Sequence, residues 1–478
     1  MLRNIKSCLN SSDMISVLKL LVSCFMNRMK WLWLGFLFLV SLLFWFSLNE
    51  IERTIELWAL RKSLLYYGGV VSMAMMSFGM ILSLRLRPLE NLTNGLDRSY
   101  RLHKWLGITG GLFALLHWFI KVEPKALIKQ GWVSAQTFAT PTGTMDFFSD
   151  PNPLEGLKGI AKATGEWTIY ILVVLLLIAL LQKVSYRNFF RSHQIMPIIY
   201  LALVFHSTVL LGKLGWASPI GITMGILMAA GSIAAVVALT GRIAASKRFE
   251  GKVIKHSTHP ADRVTEVEIQ MGTDWPGHTT GQFAFVTFDQ KEGAHPFTLA
   301  SNDTRGHTVR LYIKQLGDYT RTLDTSVHIG QKAIIEGPYG RFSFEPANVR
   351  QIWIAGGVGI TPFISRLEYL SDRSTPRPDN AQKSDPDIDL YLCVKDQGND
   401  LVDKVRTLAR HAHVRLHVIS SAAGQMMKAD LITQTHLDWP NAHFWFCGPG
   451  SLGSALRTDL IRNGLPARQF HQELFEMR

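Results

Sequence analysis

The pattern of hydrophobic and polar residues divides the chain into an apolar first half and a more polar second half. Between residues 31 and 240, long uncharged runs alternate with short polar breaks. A run of about 20 apolar residues can cross a bilayer as a helix. We therefore predict a membrane bundle of six transmembrane (TM) helices, at residues 31 to 48, 63 to 83, 102 to 120, 167 to 182, 194 to 212 and 218 to 240.

Beyond residue 250 the pattern becomes that of short strands. Alternating runs separated by Gly and Pro, from GKVIKHST to QKAIIEGPYG, predict an antiparallel β-barrel. After residue 350 strands alternate with helices, which predicts a doubly wound parallel α/β sheet. We place the membrane bundle at residues 31 to 242, the barrel at 246 to 348 and the α/β domain at 349 to 478, after a basic leader at residues 1 to 30.

Composition limits the class of protein. The chain has 478 residues, more than one ordinary domain, and 47% are hydrophobic although 18% are charged. The net charge of +13 comes with no nucleic-acid-binding motif, so a membrane orientation explains it better than a nucleic-acid partner. Cys8, Cys24, Cys393 and Cys447 form no C-x-x-C pair, which argues against a disulfide scaffold or a zinc site and for reduced, cytosolic thiols.

Basic residues also predict the orientation in the membrane. They cluster between spans two and three and between spans four and five. By the positive-inside rule these loops, the N-terminus and the whole second half are cytoplasmic, and we expect the bacterial inner membrane. Residues 122 to 166 then form a long outer loop, of a length that is more often functional or mobile than inert.

Four histidines lie within or directly beside two of these spans. His103 and His117 are 14 residues apart, and His193 and His206 are 13 apart. At about 1.5 Å per residue each pair spans roughly 20 Å, which puts one histidine near each membrane face. Ionisable side chains inside a membrane are costly and usually functional. The set suits axial ligation of two stacked b-type haems, with His103 facing His193 and His117 facing His206, although each imidazole could instead bond a neighbouring helix.

The two helices differ in regularity. Four turns take about 14.4 residues, so His103 and His117 share one helix face. A 13-residue step leaves His206 off the face of His193 in a straight helix, and Pro197 between them can kink the segment, so we hypothesise a distortion there. Basic residues placed for haem propionates, or simply for the membrane interface, are Arg101, Lys104, Arg191, Lys121 and Lys213.

The second half contains a glycine-rich turn. GGVGITP, residues 356 to 362, lies between the first strand of the predicted parallel sheet and its helix. Glycines let the backbone approach a pyrophosphate, and the helix N-terminus offers free amides. Lys395 and Asp396 follow the next strand. A basic residue there favours NADPH and an acidic one NADH, so the choice stays open, and we prefer NADPH.

Further motifs follow the order of a known family. HPFTLAS (295 to 301), GDYT (317 to 320), GPYG (337 to 340) and CGP (447 to 449) resemble those of the ferredoxin reductase superfamily. Together with the histidine spacing, they make residues 31 to 478 similar to the NADPH oxidase and ferric reductase family. The resemblance implies a ferredoxin-reductase-like module in which the barrel binds FAD and the α/β domain binds a nicotinamide dinucleotide.

The resemblance also implies roles for single residues. Thr298 would bond near the reactive flavin nitrogen, Cys447 would lie beside the nicotinamide, and Phe475 would stack on the flavin, with Phe470 in reserve. His295 stands where many soluble relatives have Arg. Implied FAD contacts are His295, Pro296, Phe297, Thr298, Ser301, Gly317, Asp318, Tyr319, Thr320, Gly337 and Gly340. Implied nucleotide contacts are Gly356, Gly357, Gly359, Thr361, Pro362, Lys395, Cys447, Gly448 and Pro449.

These features predict an NAD(P)H-dependent flavohaem oxidoreductase. Electrons would pass from cytosolic NADPH or NADH through FAD and two b-type haems to an acceptor outside, either dioxygen or a ferric or cupric chelate. The 14 and 13 spacing is closer to the oxidases than to fungal metal reductases. Two alternatives remain open: a membrane-anchored flavin reductase, transporter or scaffold without haem, and an electron donor to a partner protein.

Overall fold

The computed structural model describes residues 28–48, 56–131, 154–181, 183–211, 215–302, 307–374, 387–396 and 400–473. These residues divide into two compact units, one before Ala244 and one from Ala244 onwards, with Asn94–Asp97 grouped with the second. The predicted leader lies almost entirely outside the described residues, and the limits of the two cofactor-binding domains stay predictions.

The first unit is helical, as the apolar pattern predicts. Six segments in the described part of the chain are long and apolar enough to cross a membrane, which confirms the six-span prediction. The fifth of these segments consists of two helices, α6 and α7. The helices are α1 (Arg28–Ser47), α2 (Leu57–Ser83), α3 (Arg87–Thr93), α4 (Leu96–Lys129), α5 (Lys158–Leu180), α6 (Tyr186–His193), α7 (Met196–Leu211) and α8 (Pro219–Leu239).

The helices extend beyond the predicted spans. Helix α4 continues to Lys129 and α5 begins at Lys158, so the prediction of a loop over residues 122 to 166 is wrong at both ends. Lys121 and Glu166 form an ion pair at 3.3 Å between these two extensions. Charged residues lower the local hydropathy without interrupting the helical backbone. An apolar run therefore marks only the part of a helix that lies inside the bilayer.

The fifth span is broken between its two histidines. Helix α6 ends at His193, and α7 begins at Met196. Pro197 occupies the first turn of α7, where its missing N–H has no intrahelical partner to lose. The hypothesised distortion is therefore present, and it lies just before the proline.

Helix α2 is the most enclosed of the membrane helices. Of the apolar stretch that could cross the membrane, 56% is buried, and Val71, Ala74 and Met75 are fully enclosed. Two of its serines bond to neighbouring helices: Ser72 Oγ donates to the Gly110 carbonyl at 2.8 Å, and Ser77 Oγ lies 2.9 Å from Tyr200 Oη. Hydrogen bonds of this kind satisfy polar groups that lipid cannot.

The second unit begins with an antiparallel sheet, as predicted. In the described residues it has six strands in the order β4-β3-β6-β1-β2-β5. Just beyond β4, the Ala300 N–H donates to the Arg310 carbonyl on β5 at 2.8 Å, which links the two edge strands. The elements are β1 (Arg248–His259), β2 (Val264–Met271), β3 (Phe283–Thr287), β4 (His295–Thr298), β5 (Thr308–Lys314), α9 (Asp318–Ser326) and β6 (Lys332–Tyr339).

A parallel sheet with helices follows, which confirms the α/β prediction. Its five described strands have the order β11-β10-β7-β8-β9. From β7 the chain builds outwards to β8 and β9, and then returns to add β10 on the other side of β7. The elements are β7 (Gln351–Gly356), α10 (Thr361–Ser374), β8 (Ile388–Val394), α11 (Asp400–His411), β9 (Arg415–Ser420), α12 (Ala429–Thr435), β10 (His443–Cys447), α13 (Gly450–Arg462) and β11 (Phe470–Gln472).

This strand order creates a switch point between β7 and β10. In doubly wound sheets, ligands bind in the crevice outside the carboxyl ends of the strands at such a point. The glycine-rich turn follows β7 and CGP follows β10, so the fold brings these two motifs to the same crevice.

Candidate functional site

The four membrane histidines form the two pairs expected from their spacing. The ring centres of His103 and His193 lie 6.0 Å apart, and those of His117 and His206 lie 6.3 Å apart. In zinc sites an imidazole nitrogen binds the metal at about 2.0–2.1 Å. A similar bond length plus about 1.1 Å from nitrogen to ring centre puts the rings of two trans ligands about 6.3 Å apart. The ring separation within each pair therefore suits two imidazoles that bind one metal ion.

Hydrogen bonds fix the orientation of three of the four imidazoles. His103 Nδ1 lies 2.9 Å from the Gly79 carbonyl, His117 Nδ1 lies 2.8 Å from the Leu65 carbonyl, and His206 Nδ1 lies 2.7 Å from the Ala161 carbonyl. A carbonyl only accepts, so each Nδ1 must carry the proton. This tautomer leaves the Nε2 lone pair available for a metal, the arrangement usual for ligating histidines.

His193 is held differently from the other three. Its Nδ1 is buried and has no hydrogen-bond partner among the described residues. Its ring stacks on Phe189, one turn earlier in α6, with ring centres 5.2 Å apart. The position of His193 thus depends on packing and on the break after α6 rather than on a carbonyl.

Glycines of neighbouring helices make room for the imidazoles. A Cβ at Gly165 would overlap Nδ1 and Cε1 of His206, and a Cβ at Gly69 would lie 3.2 Å from His117 Nδ1. Gly68 approaches His117 in the same way, at 3.3 Å from its Cβ. A Cβ at Gly165 would fit only if His206 moved, and one at Gly68 or Gly69 only if His117 shifted by a few tenths of an ångström, so these glycines let their helices pack closely against the histidines.

The basic residues suggested for haem propionates are not equally placed. Arg101, Lys104 and Arg191 are exposed. Lys121 is engaged with Glu166. Lys213 lies outside the described residues. Their assignment to propionates stays a prediction.

In the second unit, the two implied flavin motifs meet. His295 begins β4, and its ring stacks on Tyr319 of the GDYT motif with centres 4.4 Å apart. Burial lowers the pKa of His295 to about 4, so the ring is neutral at pH 7. His295 thus stacks as an uncharged ring and does not replace the charge of the arginine found in many soluble relatives.

The other flavin-motif residues line β4 and the turn before α9. Thr298 and Ser301 are buried, while Pro296 and Phe297 pair with Phe285 and Ala284 of β3. Helix α9 begins at Asp318, directly after Gly317. Thr320 Oγ1 accepts the Gly317 N–H at 3.0 Å and closes this turn. The motif therefore presents a helix N-terminus, which suits an anion such as a phosphate.

The GPYG motif, at the end of β6, lies close to the C-terminal segment. Gly340 has a φ of +102°, and a Cβ there would lie 3.0 Å from Glu473 Oε1 and 3.1 Å from Phe283 Cδ1. Gly337 also has a positive φ, of +155°. Only glycine suits this close approach, so both conformation and space explain the residue type at position 340.

The glycine-rich turn (residues 356 to 362), which we call the nucleotide loop, is in contact with the CGP motif. A Cβ at Gly356 would lie 2.6 Å from Pro449 Cδ, and a Cβ at Gly359 would overlap the Cys447 carbonyl. Gly357 has a φ of +56°, and α10 starts at Thr361, followed by Pro362 at its second position. The backbone of this loop can therefore approach a pyrophosphate closely at the N-terminus of α10.

Two weakly acidic side chains, Cys447 and Glu473, are buried near the CGP and GPYG motifs. Burial raises the pKa of the Cys447 thiol well above its usual range. Burial also raises the pKa of the Glu473 carboxyl, whose Oε2 has no hydrogen-bond partner among the residues described. Sequence reasoning missed Glu473. Its position two residues before Phe475 is the signal that could have found it.

Sequence reasoning also missed Asp262 and Lys314, two residues that line a small nearby cavity of about 30 Å³. Lys314 Nζ lies 3.5 Å from the place that a Gly357 Cβ would occupy. The cavity lies along the carboxyl ends of β7 and β8, beside the glycine-rich turn. Its other lining residues are Val264, Gly357, Val358, Ile360, Leu392, Val394, Leu401 and Val402.

The remaining candidates are less informative. Lys395 and Asp396 are exposed after β8. Phe475 lies outside the described residues. Phe470 is buried on β11, where its ring faces Phe444 and Phe446 at 6.3 Å. The reserve assignment of Phe470 to the flavin is therefore wrong, because the parallel pairing of β11 turns this ring into the core of the α/β domain.

Asp389, His417 and His436 converge at the opposite, amino-terminal end of β8, where the spacing alone would suit a metal. Two cations argue against one: Arg350 bonds the Asp389 carboxylate, and Arg415 Nη2 donates to it at 2.7 Å. Burial alone would raise the pKa of Asp389, but hydrogen bonds from His417, Arg415 and Arg350 outweigh it and hold the pKa far below its ordinary value. This cluster is a satisfied ionic network.

Comparison with known proteins agrees with these two units. Residues 68–204 match the family described as ferric reductase like transmembrane component, and residues 249–343 match an FAD-binding domain. The carnitine monooxygenase reductase subunit of Escherichia coli (strain K12) is 28% identical over 211 residues, which are 43% of this chain and 61% of the relative. Respiratory burst oxidase homolog protein E of Arabidopsis thaliana is 23% identical over 239 residues, 44% of this chain and 24% of the relative.

Among solved structures, ferredoxin-NADP+ reductase from Plasmodium falciparum is similar with a TM-score of 0.40 and 17% identity, over 48% of this chain and 96% of the other. The chain spans no more than 61% of the length of the two curated relatives named above. The two family matches cover the part of the membrane unit that holds His103, His117 and His193 and the sheet that holds the flavin motifs. The chain thus combines a ferric reductase-like transmembrane component with an FAD-binding domain, and its six long apolar helices indicate an integral membrane protein.

Proposed function

We propose that the protein transfers electrons across a membrane, from NAD(P)H through FAD and two b-type haems to an acceptor on the other side. The acceptor is dioxygen, which yields superoxide or hydrogen peroxide, or a ferric or cupric chelate, which yields reduced metal. When bound, FAD supplies the conversion of a two-electron hydride donor into single electrons.

The observation that carries this proposal is that the histidines of the membrane unit form two facing pairs, one at each of two levels. Ring centres at 6.0 and 6.3 Å suit a shared iron, and three of the four rings have their Nδ1 proton fixed by a carbonyl. A structural histidine needs one such bond but needs no second imidazole at this distance. The four histidines would hold the two haems, which would supply one-electron transfer; an iron held by two imidazoles would offer no free position to an acceptor.

The second unit provides the residues for the first step. We infer that Thr298 and Ser301 line the flavin, that Gly317 to Thr320 approach its phosphates, and that the glycine-rich turn holds the pyrophosphate of the dinucleotide. Cys447 would lie beside the nicotinamide and Phe475 against the flavin. The contact between Gly359 and Cys447 supports a single crevice for the nucleotide.

Orientation follows from charge. Basic residues such as Arg85, Arg87 and Arg98 cluster between the second and third spans, which favours a cytoplasmic location for that side and for the reductase half. We propose a bacterial inner membrane as the location, with His117 and His206 near its outer face.

An anaerobic absorption spectrum of the detergent-purified protein, before and after NADPH, tests the proposal. Growth of the sharp bands of reduced bis-histidine haem is expected, and the His117→Ala variant should lose about half of them. Absence of haem bands after dithionite in folded, flavin-loaded protein would contradict it. Reoxidation rates with oxygen and with a ferric chelate then separate the two acceptors.

A second candidate is an electron donor to a partner protein. Several relatives are reductase components, such as the anthranilate 1,2-dioxygenase electron transfer component of Acinetobacter baylyi (strain ATCC 33305 / BD413 / ADP1), 21% identical over 210 residues. This candidate predicts that NADPH oxidation by the pure protein is slow with oxygen and with chelates. It also predicts that a co-expressed partner restores the rate.

A further inference from the structure

Helix α10 presents one polar face to the HPFTLAS segment, which is called the flavin motif below. Ser365, Glu368 and Asp372 are three and four residues apart, so they share a face of this helix. Each makes a bond to the segment at the end of HPFTLAS or to the strand beside it. Ser365 Oγ donates to the Ser301 carbonyl at 2.7 Å, and Asn302 Nδ2 donates to Asp372 Oδ2 at 3.0 Å.

The third bond on this face is ionic. Arg310 Nη1 donates to Glu368 Oε1 at 2.5 Å, while Arg310 Nε donates to Glu268 of β2 at 2.8 Å. The backbone of Arg310 is tied to the flavin motif as well, because its N–H donates to Ser301 Oγ at 3.1 Å. Arg310 therefore joins the flavin motif, through its backbone, to α10, through its side chain.

The opposite face of α10 is apolar. Phe363, Ile364 and Leu367 are fully enclosed in a core cluster that includes residues of both sheets, and the ring centres of Phe363 and Phe342 lie 5.6 Å apart. The helix is thus fixed to its own sheet by packing, and to the flavin-binding domain by apolar packing together with polar bonds. Ser301 and Ser365 are buried, and the side chains of Arg310 and Glu368 are each 20% exposed. Bonds to charged groups in such surroundings contribute more than exposed pairs do.

The position of α10 matters because the glycine-rich turn leads directly into its first residue, Thr361. Any rotation or shift of α10 moves this turn, and a bound nicotinamide with it, relative to the flavin motif. Apolar packing is tolerant of small shifts, whereas hydrogen bonds are directional. The polar face therefore specifies one register between the two motifs.

We propose that Arg310 and Glu368 are positioning residues that hold the nucleotide loop in register with the flavin for hydride transfer. This inference rests on the NAD(P)H-to-FAD step of the proposed function and on none of its haem steps. In that step a hydride leaves the nicotinamide ring with both electrons and bonds to the flavin ring, so NAD(P)H is oxidised and FAD is reduced by two electrons. Reacting atoms must approach to about 3–3.5 Å, and a misplacement of about 1 Å can cost about 100-fold in rate.

Anaerobic stopped-flow mixing of the full-length, FAD-loaded protein with NADPH tests this role. The bleaching of the flavin band against NADPH concentration gives a limiting rate and an apparent Kd. We expect Glu368→Gln and Arg310→Met to lower the limiting rate about 10- to 100-fold, as a small misplacement would. We expect the apparent Kd to change by less than about threefold, because the loop itself is intact.

Controls separate positioning from folding. Asp403→Asn on α11 removes an exposed carboxylate that pairs with Arg406 of the same helix, and it should leave the rate unchanged. The Arg310→Met/Glu368→Gln double variant should be no slower than Arg310→Met alone, since both changes break the same link. If Arg310→Met loses FAD, the limiting rate of the milder Glu368→Gln variant tests the inference.

An unchanged limiting rate in Glu368→Gln, or a rate that falls only in proportion to lost FAD, would overturn the inference. Additive effects in the double variant would overturn it too. Failure of the proposed function looks different. A wild-type flavin that NADPH does not reduce removes the first step of that function, whereas a flavin reduced normally without haem bands leaves the positioning role intact.

Discussion

Replacing Gly165 with alanine should disturb one histidine pair and leave the other intact. Gly165 lies on α5, and the added Cβ would overlap Nδ1 and Cε1 of His206 and lie 3.0 Å from its Cγ. The His206 ring cannot move away freely, because its Nδ1 bonds the Ala161 carbonyl at 2.7 Å on the same helix. The ring must therefore break this bond or tilt away from His117.

The cost can be worked from these contacts. Overpacking by one carbon in a packed interior costs typically about 1–3 kcal/mol. At about 1.4 kcal/mol per factor of ten, this corresponds to about 5- to 150-fold weaker binding of the haem between His117 and His206. Alanine is also the better helix former by about 1 kcal/mol, so loss of haem would occur without loss of helix.

The assay is the haem content and the reduced absorption spectrum of the purified variant, referred to its flavin content. Gly159→Ala is a matched control on the same helix, since nothing lies within 4 Å of a Cβ at that position. We expect Gly165→Ala to retain about one haem where Gly159→Ala retains two. Two haems with unchanged affinity in Gly165→Ala would refute the assignment of His206 as a ligand held against α5.

Three further predictions concern the second unit. Asp389→Asn should lower the free energy of unfolding by about 3 kcal/mol relative to Asp403→Asn, measured with denaturant, because it removes the buried carboxylate that accepts bonds from Arg350 and Arg415. The pKa of Asp389 is depressed in the folded state, so its contribution to the free energy of unfolding is complete above about pH 4 and is lost as the pH falls further. A difference in unfolding free energy between the two variants that stays constant in acid would contradict this prediction. Lys314→Met should raise the KM for NADPH about 10-fold or more through loss of a charged contact beside Gly357, whereas Lys332→Met, at an exposed surface pair, should not. Cys447 should resist alkylation at pH 8 in the folded protein and react after unfolding, as read by peptide mass spectrometry, because burial raises its pKa; modification of native Cys447 would contradict this.

Several features could be predicted from local pattern. The apolar runs predict the six spans because a bilayer requires a fixed length of uncharged helix. The 13-residue spacing together with Pro197 predicts a distorted fifth span, and the structure breaks it between His193 and Met196. Helix ends were harder to predict, because the charged residues around Lys121 and Glu166 remain helical outside the apolar run.

Other features depend on chain segments that are distant in sequence. Nothing near Glu473 indicates that it lies beside Gly340, and nothing near Phe470 indicates that its ring enters the core of the α/β domain. Arg310 and Glu368 are 58 residues apart, and their contact depends on how α10 packs against the first sheet. Such contacts follow from sheet order and helix packing, which local periodicity does not encode.

Local pattern is enough to specify the six apolar spans, the histidines at two depths and the glycine-rich turn, because helix length, helix periodicity and backbone flexibility are local properties. The carbonyls that hold His103, His117 and His206, the absence of one for His193 among the described residues, and the contact of the glycine-rich turn with CGP at the switch point all depend on tertiary packing. These depend on the directions in which helices and strands cross, and those directions are set by packing over the whole unit.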